Sequence, residues 1–262
     1  MENFDIIVIA GQSNAEGCGV GDFFKEYQPT EKVMQLDVEK TVEHKPEKAV
    51  VTFGKEYNLK IAEENVFEGK KIGNLALSFA RKYIEKGLLK KDRKVLILRC
   101  GIGGTGFKKG HWGLHDDVYL KMLDMMDYAL GLGDGNRLVA FLWHQGEHDA
   151  FERNPPEIFE KQLTDMISSI RNRYNEPKLP FIAGDFVQDW KNKNINGCVP
   201  IVEKIKKVSK NVGYGAFVET DGLLSNDQKN KNGDDIHFCR EGLYELGERY
   251  FENFRLLIKK DD

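Results

Sequence analysis

Apolar residues in this chain follow two rhythms. Five short runs are almost uninterrupted: residues 5–10 (DIIVIA), 94–99 (KVLILR), 138–143 (LVAFLW), 180–186 (PFIAGDF) and 214–219 (YGAFVE). Strict alternation would mark strands with one wet face. Continuous runs rich in Val, Ile and Phe mark strands buried on both faces, as in a parallel sheet. Between these runs the apolar positions recur at helical spacing. In residues 72–86, Leu75, Leu77, Phe79, Ala80, Tyr83 and Ile84 make one face. Residues 117–132, 156–174 and 199–210 behave alike, and residues 240–259 close the chain as a last helix. Strands alternating with helices are βαβ units, so the pattern predicts an α/β fold, a three-layer α/β/α sandwich on a central, mostly parallel sheet. Residues 24–69 break the rhythm. Weakly periodic and dense in charge, they predict a long irregular insertion near the C-terminal edge of the sheet, where open α/β folds bind ligands.

Composition narrows the class. The 262 residues suit one domain, and no repeat, low-complexity block or Ser/Gly/Pro linker divides them. Lys and Arg number 39 against 42 Asp and Glu, a formal charge of −3, so no basic field exists to hold a nucleic acid. With 40% hydrophobic and 31% charged residues the chain is expected to fold, and to be soluble. No apolar run approaches the ~20 residues that span a bilayer, and no membrane partner is expected. The N-terminus lacks a cationic stretch and a cleavage site, so residues 4–10 read as a strand, not a signal peptide. Cys18, Cys100, Cys198 and Cys239 are scattered without CxxC pairing. That fits reduced thiols and a cytoplasmic protein, not a zinc ribbon or a disulfide scaffold.

Four places could carry chemistry. The first strand runs straight into Gly11-Gln12-Ser13-Asn14. A serine just past a buried strand, on a glycine-bearing turn, projects into the crevice at the strand ends. Of six serines, Ser78, Ser168, Ser169 and Ser209 fall in predicted helices and Ser225 in a polar loop, which leaves Ser13 with nucleophile geometry. The plainer alternative is that Ser13 caps the following turn. His237 stands in Gly233-Asp234-Asp235-Ile236-His237, before the last helix. Asp234, three residues back in a tight loop, can reach Nδ1 and leave Nε2 to a serine, while Asp235 reads as a solvated charge. His237 could equally be an ordinary loop or capping histidine.

The third place is Trp143-His144-Gln145-Gly146-Glu147-His148-Asp149, directly after a strand. Histidines at i and i+4 suggest a metal, but the zinc-protease pattern puts Glu right after the first histidine, and a glycine after a strand does not continue as one helix. The Gln145 amide could instead donate to an oxyanion. The fourth is Gly101-Ile102-Gly103-Gly104-Thr105-Gly106, which matches GxGxxG formally. A dinucleotide fold would need a helix opening there and an acidic strand end about 20 residues on. A loop, residues 107–113, follows instead. Such a glycine turn can present backbone N–H groups to an oxyanion.

Gly11-Gln12-Ser13-Asn14, Gly103-Gly104-Thr105, His144-Gln145-Gly146-Glu147 with Asp149, and Asp234-x-x-His237-Phe238 stand in the order seen in the SGNH hydrolase superfamily. They resemble the branch holding family 6 carbohydrate esterases (acetylxylan esterases) and sialate O-acetylesterase-like proteins, from residue 5 to about 247. The resemblance implies a flavodoxin-like α/β/α fold and hydrolysis of O-acetyl esters of carbohydrates in two steps, without metal or other cofactor. By position it makes Ser13 the nucleophile, His237 the base and Asp234 its orienting carboxylate. The oxyanion hole would be the Ser13 N–H, the Gly104 N–H, with Gly103 a close competitor, and the Gln145 side chain. Asn14 and Glu147 would support it, Glu147 by ordering the Gln145 loop or by competing with Asp234 for His237.

Two departures stand out. The family usually carries Met and small residues after Gly-Gln-Ser-Asn, where this chain has Ala15-Glu16-Gly17, and a charge at Glu16 is expected to bear on substrate choice. The second block continues as Thr105-Gly106-Phe107-Lys108-Lys109 before His111-Trp112, and Trp112 is expected either to stack on a sugar or, more simply, to be buried. Competing readings are an esterase of non-sugar esters and a catalytically silent carbohydrate-binding protein. An intracellular chain would meet soluble acetylated oligosaccharides.

Overall fold

The strand β1 (Asn3–Gly11) sits at the centre of everything else. In the computed structural model, which describes residues 3–24, 27, 30–45, 47–67 and 69–259, its residues Phe4 to Ala10 are all buried. That is what an uninterrupted apolar run requires, since neither face can meet water. The short helix α1 (Ser13–Glu16) follows. Then come the long strands β2 (Val33–His44) and β3 (Ala49–Ile61) and a small hairpin of β4 (Asn65–Phe67) and β5 (Lys70–Ile72). Helix α2 (Leu75–Glu85) is capped by Asn74, whose side chain accepts from Ala76 N at 2.7 Å.

The rest alternates as the apolar rhythm predicts: β6 (Arg93–Gly101), α3 (Asp117–Gly131), β7 (Arg137–His144), α4 (Glu147–Phe151), α5 (Pro156–Tyr174), β8 (Phe181–Gly184), α6 (Gln188–Lys193), α7 (Ile195–Asn211), β9 (Gly215–Val218), α8 (Asn226–Asn230) and α9 (Arg240–Ile258). Helix α7 begins before the predicted stretch, with Pro200 inside it. The large sheet has the order β3-β2-β6-β1-β7-β8-β9, with β3 antiparallel to β2 and every other neighbouring pair parallel. Helices α2 and α9 pack on each other through Phe79, 5.7 Å from Phe251 and 5.5 Å from Phe254 between ring centres. On the other face α3 and α5 meet through Tyr174, and α5 and α7 through Lys204 and Glu160. Among the described residues no helix is long and apolar enough to cross a membrane.

The expected irregular insertion at 24–69 is corrected by β2 and β3. Only Val33 to Leu36 of β2 pair with β6; beyond Leu36 the strand pairs with β3 alone. The outer part is a two-stranded ribbon reaching past the sheet. With little to bury on either face it carries Lys40, Glu43 and Lys55, and a register shift between Val38 and Lys40 adds a bulge. Charge density therefore masked a strand whose pairing is sound.

Register explains why the chemistry converges. Gly11 is level with Gly101 on β6 and with His144 on β7. The three central strands thus end together, and Ser13, Gly103–Gly104 and Gln145 emerge within a few residues of one line.

Candidate active site

Gly11 makes the turn into Ser13 possible. It has φ 130°, and a Cβ there would lie 2.1 Å from the His144 carbonyl oxygen, so only glycine fits. The Gln12 N–H donates to that same carbonyl at 2.9 Å, which fixes the turn against β7. Ser13 then opens α1, 8% exposed.

His237 arrives from the far end of the chain, in the loop before α9. Its Nε2 lies 2.8 Å from Ser13 Oγ. Its Nδ1 lies 2.9 and 3.0 Å from the two oxygens of Asp234. An ionised carboxylate only accepts, so Nδ1 carries the proton and Nε2 is left to accept the serine hydroxyl. Burial opposes ionisation of Asp234, but hydrogen bonds from His237 and from Asn226 outweigh it and hold its carboxyl below the usual range. Asp235 instead pairs with Lys193 at the surface, as a solvated loop charge should. Ser225 caps α8, and of the remaining serines none approaches a histidine as Ser13 does.

Asn14 joins the two halves. Its Oδ1 accepts from Phe238 N at 3.1 Å, and its Nδ2 donates to the Ile236 carbonyl at 3.2 Å and to Glu147 Oε1 at 3.0 Å. The residue after Ser13 thereby clasps both neighbours of His237. Glu147 is fully buried and does not reach His237. Its other neighbour is His144, 3.6 Å away, whose Nδ1 lies 2.9 Å from the Tyr250 hydroxyl. Burial works against the Glu147 charge, yet His144 and Asn14 hold its carboxyl below the usual range. Of the two roles weighed for Glu147, partner to His237 is excluded by position. The loop that it orders is that of His237, through Asn14.

The Gln145 loop has a different organiser, Asp149. Its Oδ2 accepts from Gln145 Nε2 at 2.6 Å and Phe107 N at 2.9 Å; its Oδ1 accepts from Lys108 N at 2.9 Å and Asn154 Nδ2 at 2.7 Å. The second amide hydrogen of Gln145 has only the Thr105 carbonyl, at a long 3.4 Å. So Gln145 stands at the right strand end with its strong bond turned toward Asp149, and one weakly held hydrogen available for exchange. His144 ends β7 while His148 lies on α4, so they do not share one helix face as a metal-binding pair would. A helix does follow Gly146, but it starts too late to carry both, as the glycine after the strand implied. After Gly106 the chain makes turns up to α3, as the loop reading required.

Gly103 and Gly104 differ. A Cβ on Gly103 would be 3.6 Å from Ser13 Cβ, so this turn lies against Ser13. The Gly103 N–H is engaged by Glu16 Oε2 at 2.8 Å, whereas Gly104, at φ 72°, has no intramolecular acceptor for its N–H among the described residues. Trp112 is fully buried, donates to Thr105 Oγ1 at 3.0 Å and meets Trp143 edge-on at 5.0 Å, so the burial alternative holds and sugar stacking does not. Two positioning residues escaped the sequence reading. Asp149 was part of a motif without a role. Asn226, wholly buried, donates to Asp234 Oδ2 at 2.8 Å, and its only signal was the capping-box spacing of Ser225 and Gln228 around it.

Together these groups can add a serine oxygen to a carbonyl, take up its proton and stabilise the negative oxygen that forms. No curated protein matches the chain. Among solved structures, that of NanS superposes with a TM-score of 0.77 at 17% identity, covering 99% of this chain and 98% of that one. A protein from Arabidopsis thaliana superposes with a TM-score of 0.70 at 18% identity, covering 98% and 99%. At such identities the likeness concerns the fold, and it spans the whole architecture described above. The family model for carbohydrate esterases of the sialic acid-specific acetylesterase type matches residues 3–255, and the chain belongs to that family.

Proposed function

We propose that this carboxylic ester hydrolase removes O-acetyl groups from carbohydrates through an acetyl-serine intermediate on Ser13. The observation that carries the reading is the unbroken chain Ser13 Oγ, His237 Nε2, His237 Nδ1, Asp234, at 2.8 and 2.9 Å. In the first step Ser13 Oγ bonds to the acetyl carbon as His237 Nε2 takes its proton, and Asp234 stabilises the imidazolium. The tetrahedral oxyanion is met by the Ser13 and Gly104 N–H groups and by the Gln145 amide hydrogen that now rests on Thr105. His237 then protonates the departing sugar oxygen. In the second step a water, deprotonated by His237, attacks the acetyl carbon and releases acetate and free Ser13.

Acetylated sialic acid is the first substrate to try, because the family match is to the sialic acid-specific type. Acetylxylan and short acetylated oligosaccharides come second. The test is acetate release from p-nitrophenyl acetate, with Ser13→Ala beside the wild type. We expect turnover that falls at least ~10⁴-fold in the variant, with the fold retained by circular dichroism. Turnover near wild type in Ser13→Ala would remove Ser13 as the nucleophile, and none in the wild type would favour a silent binding protein.

A further inference from the structure

Glu16, one of the two departures noted in the sequence, holds an unusual post in the structure. Its backbone carbonyl is fixed by Arg99 Nη2 at 2.8 Å and Asn65 Nδ2 at 2.7 Å. Its side chain reaches across the nucleophile turn to the glycine loop, where Oε2 accepts the Gly103 N–H at 2.8 Å. The other oxygen, Oε1, is 3.0 Å from Lys40 Nζ, on the outer ribbon of β2, and Lys40 also donates to the Gly101 carbonyl at 3.2 Å. A carboxylate this close to a serine nucleophile is costly for an esterase, since it repels the oxyanion that develops in the transition state. Its presence with a lysine directly on it calls for a role that outweighs that repulsion.

We propose that Glu16 is a positioning residue of the oxyanion site, with Lys40 as the counter-charge that makes it tolerable. By taking the Gly103 N–H, the carboxylate anchors the Ile102–Gly103 peptide and so fixes the turn that leads into Gly104. The donor left for the oxyanion is then Gly104, in the left-handed conformation that a side chain would oppose. The ribbon of β2 and β3 acquires a catalytic purpose by the same contact, because Lys40 is held out over the strand ends by pairing that continues beyond the sheet. The inference deepens the esterase reading and rests on it.

The experiment measures kcat and KM on p-nitrophenyl acetate for the wild type, Glu16→Ala, Glu16→Gln, Lys40→Met and the double variant Glu16→Gln/Lys40→Met. Inhibition by methylboronic acid, which forms a tetrahedral anion on a reactive serine, is read in parallel. Glu16→Ala frees the Gly103 N–H and should lower kcat ~10–100-fold while KM moves less than ~3-fold, a displaced donor being worth somewhat less than a deleted one. The boronate inhibition constant should rise in step. Glu16→Gln keeps an acceptor for Gly103 and should remain within ~3-fold of the wild type. Lys40→Met should lower kcat by leaving the carboxylate uncompensated, and adding Glu16→Gln should restore most of it, a non-additivity that marks direct coupling. If Glu16→Ala folds poorly by thermal melting, the Gln and Lys40 variants carry the test.

Glu16→Ala with kcat within twofold of wild type overturns the inference. So do equal losses in the Ala and Gln variants, a loss carried by KM, or additive effects at Glu16 and Lys40. Turnover that vanishes in Ser13→Ala but ignores Glu16 leaves the esterase reading standing and sinks only this one. A wild type without turnover takes down both.

Discussion

Asn226 meets His237 only through the backbone, its N–H donating to the His237 carbonyl at 2.8 Å, yet its side chain helps to set the charge on Asp234. Its amide is one of the groups that hold the Asp234 carboxyl below the usual range. A carboxylate with a lowered native value stabilises the fold above its unfolded value of about 3.9, and loses that contribution as the pH falls through the native one. Removing a donor to the ionised form moves the native value up. In Asn226→Ala the acid loss of thermal stability should therefore shift to higher pH, read from a pH series of melts against wild type. An unchanged acid limb of stability would mean that His237 alone governs Asp234. Legibility at this scale divides sharply. Ser13, His237 and Asp234 could be read because each needs only its own residue type and a neighbouring strand or loop end. The duties of Asp149 and Glu16 could not, because each depends on a partner far along the chain, Phe107 for Asp149 and Gly103 for Glu16, while that of Asn226, only eight residues from Asp234, depends on how the loop between them folds.

Among the elements, the segment between β6 and α3 depends on one side chain it does not contain. Asp149, on α4, accepts from the Phe107 and Lys108 N–H groups as well as from Gln145 and Asn154. Asp149→Ala would orphan buried donors at about 1–3 kcal/mol each. We expect a destabilisation of at least about 3 kcal/mol in urea melts, together with a lower kcat in what remains folded. A loss under about 1 kcal/mol would show that the loop holds itself. Elements buried on both faces announced themselves in sequence: β1, β6, β7 and β8 all lie within the apolar runs or around them, and the half-buried edge strand β9 falls in the fifth run. β2 and β3 did not, since most of their length pairs only with each other and is free to carry charge. Apolar continuity reports burial, and an unburied strand leaves little for it to report.

For the whole molecule, stability and chemistry occupy opposite ends of the sheet. At the start of β1 the wholly buried Asp5 accepts from Arg93 at 2.7 Å, Arg137 at 2.6 Å and Tyr83 at 2.8 Å, tying β1 to β6, β7 and α2. Removing one member of such a cluster leaves buried charge uncompensated, so Asp5→Ala should cost about 3–5 kcal/mol of unfolding free energy. Because the cluster is a strand's length from Ser13, kcat per folded molecule should stay within ~2-fold of wild type. A parallel fall in kcat at full folding would show that the strand transmits the loss.

The clasp of Asn14 on residues 236 and 238 has a consequence for the making of the protein. Translation delivers Ser13 224 positions ahead of the histidine that faces it, so for that stretch the emerging polypeptide carries the serine without its partner. Under the proposed mechanism that alcohol stays inert until the residues around 237 have been made and threaded home against Asn14.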